Sequence, residues 1–162
     1  MKILSFDIED WFHVLDNPET SSPADWEKMP SRLVAGVDRI LSLLSDTNQP
    51  ATFFCLGWVA EKYPLVIKKI VENGHHLATH SHTHQLAYSQ SKSQFEEDLW
   101  RSIDTLQQVS GKKIDTDIIA EALKALDISY LKDRLYTQLS GGEKQRVQLA
   151  RVMAQIWREE DN

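Results

Sequence analysis

The sequence predicts an α/β protein on parallel strands, followed by a helical C-terminal segment, and three observations carry this. Two short apolar runs, 2–6 and 51–56, alternate with stretches of helical period. A third strand-like run, 76–79, leads into a histidine cluster. Beyond residue 115 only helical periodicity remains. The 162 residues amount to one ordinary domain of roughly 100–200 residues.

Taken in order, Ile3, Leu4 and Phe6 make a first strand over 2–6 that runs into Asp7, Glu9 and Asp10. Residues 16–31 hold three prolines and read as a loop. Ser31 offers an N-cap to a helix whose face is Leu33, Val34, Val37, Ile40, Leu41 and Leu44, ended by 48–50. Residues 51–56 form a buried strand closed by Gly57. A helix over 58–73 follows, broken at Pro64 and stopped by Gly74 in the left-handed conformation. After the strand at 76–79, Ser93 and Glu96 form a capping box for a helix with Phe95, Leu99, Ile103, Leu106 and Val109 at spacings of three and four and Gly111 beyond its last turn. Strand and helix alternating in this way place chemistry at the C-terminal ends of the strands. The C-terminal segment reads as two helices, one through Ile118, Ala122 and Leu126, the other through Val147, Ala150, Met153 and Trp157.

Composition fits a folded chain, with 41% hydrophobic residues for a core and 26% charged residues for a surface. The net charge of −6 and the absence of any Lys or Arg run longer than two argue against nucleic acid as a partner. A single cysteine, Cys55, forms no internal disulfide and lies in an apolar run, where a buried thiol is expected. Residues 1–12 turn acidic by Asp7 without a long apolar core, so neither a signal peptide nor membrane insertion is expected, and the expected compartment is the cytoplasm.

Five of the six histidines fall in residues 75–84, and all five prolines precede residue 65. His80 and His84 stand at i and i+4 after a strand, where two imidazoles can converge on zinc or a similar divalent ion. The carboxylates ending the first strand are the natural source of a third ligand, because neighbouring parallel strands bring their C-terminal ends together. His82 is expected to point away, and His75 and His76 to be structural.

Residues 1–114 resemble the N-terminal part of NodB-type polysaccharide deacetylases, especially the exopolysaccharide-associated branch. The resemblance is carried by Ser5-Phe6-Asp7-Ile8-Glu9-Asp10-Trp11-Phe12, by Ala51-Thr52-Phe53-Phe54-Cys55-Leu56-Gly57-Trp58, and by residues 74–84. It implies a distorted (β/α) barrel in which a divalent metal and an aspartate remove the acetyl group from N-acetylated polysaccharide. By motif, Asp7 is the general base and His80 and His84 are metal ligands. The third ligand is Glu9 or Asp10, since the family's usual adjacent aspartates are spaced apart here. Alternation along an extended strand end favours Glu9, which shares a face with Asp7. The family also has an Arg-x-Pro segment that orients the base and a later Leu-x-His segment that supplies the acid. No proline follows Pro64 and no histidine follows His84, so the expectation is a truncated domain, partial as a barrel and weakly active or inactive.

Residues 139–152, beginning Leu139-Ser140-Gly141-Gly142-Glu143, resemble the signature motif and following helix of an ABC transporter ATPase, with flanks most similar to the hemin-import type. The resemblance implies that Ser140, Gly141 and Gly142 contact the γ-phosphate of ATP held by an opposing subunit, using amides at a helix N-terminus. A Gly-x-x-x-x-Gly-Lys-Ser/Thr loop is absent, which argues against nucleotide hydrolysis by this chain alone. The expected organisation is a deacetylase unit over 1–114 joined to a signature-helix segment over 115–162, in effect a chimera. The alternatives to a metal-dependent deacetylase-like protein are a subunit fragment associating with an intact ABC ATPase and a non-functional product.

Overall fold

The computed structural model describes residues 4–14, 17–20, 22–86 and 89–114, together with Asp127, Tyr130, 138–143 and Gln145. Its contacts divide the chain into two units, Met1–Ile114 and Asp115–Asn162.

In the first unit three parallel strands form one sheet in the order β1 (Ser5–Ile8), β2 (Thr52–Cys55), β3 (His76–Thr79). Asp7 pairs with Phe54 and Phe54 with Ala78, while Ile8 pairs with Cys55 and Cys55 with Thr79. Because side chains alternate, Ile8, Phe53 and Cys55 share one face. That face is buried under helices α2 (Leu33–Thr47), α4 (Pro64–Glu72) and α5 (Lys92–Ser110). The contacts come from Leu33, Val37, Leu41 and Leu44 of α2, Val66, Ile67 and Ile70 of α4, and Ile103 and Leu106 of α5. Each such fully buried side chain contributes about 1.5–3 kcal/mol relative to exposure. The opposite face carries Ser5, Asp7 and His76, all exposed, and the half-buried Phe54 and Ala78.

Several expected boundaries move. Residues 2 and 3 of the expected first strand lie outside the described residues; the strand extends to Ile8, so Asp7 is inside it, its backbone held by the ladder to β2 while its side chain faces outward. The expected loop over 16–31 contains a single turn, Pro18–Thr20, and a short helix, α1 (Pro23–Trp26). Pro23 suits the first turn of α1, where no intrahelical N–H is needed, and the Trp26 indole ties the segment down by donating to the Thr20 carbonyl at 2.7 Å. The break at Pro64 is real, separating α3 (Gly57–Lys62) from α4. Gly74 (φ 79°) and Gly111 (φ 67°) both take the left-handed conformation that lets the chain leave a helix. The capping box of α5 is not Ser93 with Glu96: Ser91 Oγ accepts from the Gln94 amide and Gln94 reaches back to the Ser91 amide, two residues earlier.

In the second unit, Ser140 opens a helical turn at 141–143. Its hydroxyl donates to Glu143 at 2.7 Å and its amide donates to the same oxygen at 2.8 Å. The two expected helices around 118–126 and 147–157 lie outside the described residues. No helix among the described residues is long and apolar enough to cross a membrane.

Candidate metal centre

β2 lies between β1 and β3, and the segments that follow β1 and β3 converge past its C-terminal end. The His80 amide donates to the Cys55 carbonyl at 2.9 Å, extending the parallel pairing one residue past β3 and putting the His80 ring on the same face as Ala78. Glu9, two residues after Asp7, lies on that face as well. His84 returns to it after a tight turn. Glu9, His80 and His84 each present a ligand atom within 4.8 Å of the other two, and all three are half-buried. The His80 and His84 rings lie 4.9 Å apart, and His84 Nδ1 is 3.3 Å from Glu9 Oε2. Asp7 flanks the cluster, its Oδ1 3.9 Å from His80 Nδ1 and its side chain 58% exposed.

This donor set fits a divalent cation on two further observations. Glu9 Oε2 is shielded from solvent and accepts no hydrogen bond within the described structure, leaving a buried acceptor that a cation would satisfy. His84 Nδ1 lies 2.8 Å from the His13 carbonyl. A carbonyl only accepts, so the proton sits on Nδ1 and the Nε2 lone pair is left for a metal, the outer-shell arrangement usual for ligating histidines.

Asp10 is not brought to this cluster. Its carboxylate is buried and accepts three backbone N–H groups, from Trp11 at 3.0 Å, Arg32 at 2.9 Å and Leu33 at 3.2 Å. It caps both the Trp11–His13 turn and α2. Ser31 Oγ also reaches the Leu33 amide, at 3.2 Å, so the sequence-expected cap acts beside a stronger charged one. Asp10 points inward because alternation along the strand end sends residues 6, 8 and 10 toward α2 and residues 7 and 9 to the other face.

His82 and His75 lie outside the cluster. His82 is 1% exposed and sits in a slot over Gly57, where a Cβ would lie 2.1 Å from its Nδ1. Its Nε2 is 3.6 Å from Glu61, which also meets Arg101 at 3.1 Å. Burial, with Arg101 adding to it, holds the His82 pKa below the ordinary value against the opposing pull of Glu61 and Asp98. His75 stacks near Phe53, and burial lowers its pKa too, with His76 adding to the effect. Cys55 is fully buried, which pushes its thiol well up and makes it inert as a nucleophile.

Sequence reasoning did not single out His13. It is 2% exposed within a cage of Phe12, Trp26 and Trp58, with ring centroids 4.5, 4.5 and 5.1 Å away. Its Nδ1 accepts from the Asp10 amide at 2.8 Å, completing a capping box. Burial lowers its pKa to about 4, against the raising effect of Asp10, with His84 adding a smaller lowering. The available signal was its place three residues after Asp10, a capping-box spacing.

Fold and cluster together define an α/β protein with a two-histidine, one-carboxylate centre at the C-terminal edge of a parallel sheet. The chain belongs to the polysaccharide deacetylase family, whose model matches residues 25–120. Solved structures share the fold. One is a putative polysaccharide deacetylase from Mycobacterium smegmatis (TM-score 0.56, 24% identity, 80% of this chain and 48% of that one). Another is a CE4 family pseudoenzyme from Bacillus anthracis (TM-score 0.53, 19% identity, 69% of this chain and 32% of that one). The C-terminal segment resembles the signature region of hemin-import ATPases. A 52-residue stretch is 58% identical to the hemin import ATP-binding protein HmuV of Pseudomonas aeruginosa, covering 32% of this chain and 20% of the relative. Against HmuV of Gloeobacter violaceus the identity is 63% over 43 residues, 26% of this chain and 16% of the relative. The chain thus spans about a fifth of the curated relatives it matches and less than half of these structures.

Proposed function

We propose that residues 1–114 are the metal-binding part of a deacetylase site acting on N-acetylated amino-sugar polymers, with Glu9, His80 and His84 as ligands and Asp7 as general base. The observation that carries this reading is the convergence of Glu9, His80 and His84 within 4.8 Å, beside Asp7, in a chain of this family. Two imidazoles and one carboxylate suit zinc, and three protein ligands leave a position for water. A divalent ion held there supplies Lewis acidity toward an amide carbonyl and a water acidified to a pKa of about 7. Asp7, exposed and close to His80, would serve as the base that takes up a proton from water. The His13 carbonyl, accepting from Nδ1, holds His84 in one tautomer.

The test is titration of the purified full chain with zinc, alongside His80→Ala and His84→Ala, and an assay of acetate release from an N-acetylglucosamine oligomer. One zinc per chain, lost in both variants, is expected. Absence of saturable binding to the unaltered chain overturns the reading.

A second reading rests on the HmuV likeness: Ser140, Gly141 and Gly142 contact nucleotide phosphate held by an intact ABC ATPase. Co-purification with a hemin-import ATPase in the presence of ATP, abolished by Ser140→Ala together with Gly142→Asp, is its expected signature. Equal recovery of both forms overturns it. A non-functional chimeric product is the outcome left if both tests are negative.

A further inference from the structure

We infer that Asp98, on α5, is the positioning residue that sets the spacing of His80 and His84; the inference rests on the metal-site reading above. Between the two histidines the chain reverses within three residues, and two non-glycine residues, Ser81 (φ 69°) and His84 (φ 52°), take the left-handed conformation. Such residues are uncommon and hold that shape only when their surroundings impose it.

The imposing groups lie on α3 and α5. Gly57 and Trp58 amides, at the start of α3, donate to the Ser81 and His82 carbonyls at 2.9 and 3.1 Å. Ser102 Oγ, on α5, donates to the Ser81 carbonyl at 2.9 Å. Asp98 supplies the acceptor side: Oδ2 takes the His82 amide at 2.7 Å, and Oδ1 takes the Thr83 amide at 3.0 Å and the Thr83 hydroxyl at 2.6 Å. Hydrogen bonds to an ionised carboxylate are about twice as strong as neutral ones. One side chain thereby orients two consecutive peptide planes of the turn. Those planes determine where His84 starts and which way its ring faces. Asp98 makes no contact with either ligand ring among these bonds, so it acts through the turn.

The experiment uses the full chain and its Asp98→Ala, Asp98→Asn, Thr83→Val and His84→Ala variants. Each is titrated with zinc chloride, examined by the visible absorption of its cobalt(II) form, and checked by far-UV circular dichroism and melting. Asp98→Ala is expected to weaken zinc binding about 10–100-fold and shift the cobalt band while helix content stays native. Asp98→Asn falls between, because a neutral oxygen replaces the charged pair. If Asp98→Ala does not fold, Asp98→Asn and Thr83→Val decide the matter by the same readouts. Zinc affinity and cobalt spectrum unchanged in the folded Asp98 variants, even with a lower melting temperature, make the role merely structural and overturn the inference alone. An unaltered chain that takes up no zinc, or His84→Ala binding as tightly as the unaltered chain, overturns the metal reading and this inference with it.

Discussion

Among the acids at the end of β1, neighbours in sequence do opposite work. Asp7 and Glu9 face the cluster, whereas Asp10 caps two segments and is 6% exposed. Asp10→Ala orphans three amides, and a lost cap alone costs about 0.5–2 kcal/mol. Urea denaturation should therefore show destabilisation at or above the top of that range, whereas Asp7→Ala should stay within about 0.5 kcal/mol. His13 sets a pH dependence. Its folded pKa of about 4 lies below the unfolded value of 6.5, so the unfolded chain binds the extra proton first. Its contribution is fully present above pH 6.5 and is lost as pH falls from 6.5 to about 4. Denaturation midpoints of metal-free protein across that window should fall with acidification, and less steeply in a His13→Gln variant.

At the level of elements, the candidate centre depends on how closely α3 approaches the turn after β3. Gly57 gives up its side chain so that the His82 imidazole can lie against the backbone. Gly57→Ala puts a methyl group 2.1 Å from a buried ring with no space to yield. Overpacking of this kind costs about 1–3 kcal/mol. Thermal melts should show that loss, and zinc affinity should fall with it, because His82 and the ligands share one turn. Gly36 on α2 meets nothing within 4 Å, so Gly36→Ala is the matched control and should be neutral or stabilising.

For the whole molecule, a ligand that binds only the folded state stabilises it by mass action. At zinc concentrations about 100 times the dissociation constant, the metal reading implies about 2.7 kcal/mol of added stability. Urea unfolding with and without a chelator should reveal that difference in the unaltered chain and none in His84→Ala. Equal curves for the unaltered chain in both conditions count against a site shared by β1 and the turn after β3.

Much of the frame was legible in the chain because its signals are local. Residues 76–79 and the break at Pro64 follow from apolar patterning and proline geometry, and Gly74 and Gly111 mark exits that only a left-handed residue makes easily. The choice of Glu9 over Asp10 for the cluster was also within reach, since strand alternation has a period of two and needs no knowledge of partners. The cap of α2 was not, because Asp10 lies 22 residues before Arg32 and nothing local connects them. Nor was the structural weight of His13, whose neutrality comes from three aromatic rings, one of them on α3 and one on α1. The sequence by itself determined the residue types at the candidate centre and the strand ends that carry them. Only the tertiary structure decided that Asp10 caps α2, which histidine is buried, and that Asp98 grips the turn, because those outcomes depend on long-range packing and hydrogen bonds between elements far apart along the chain.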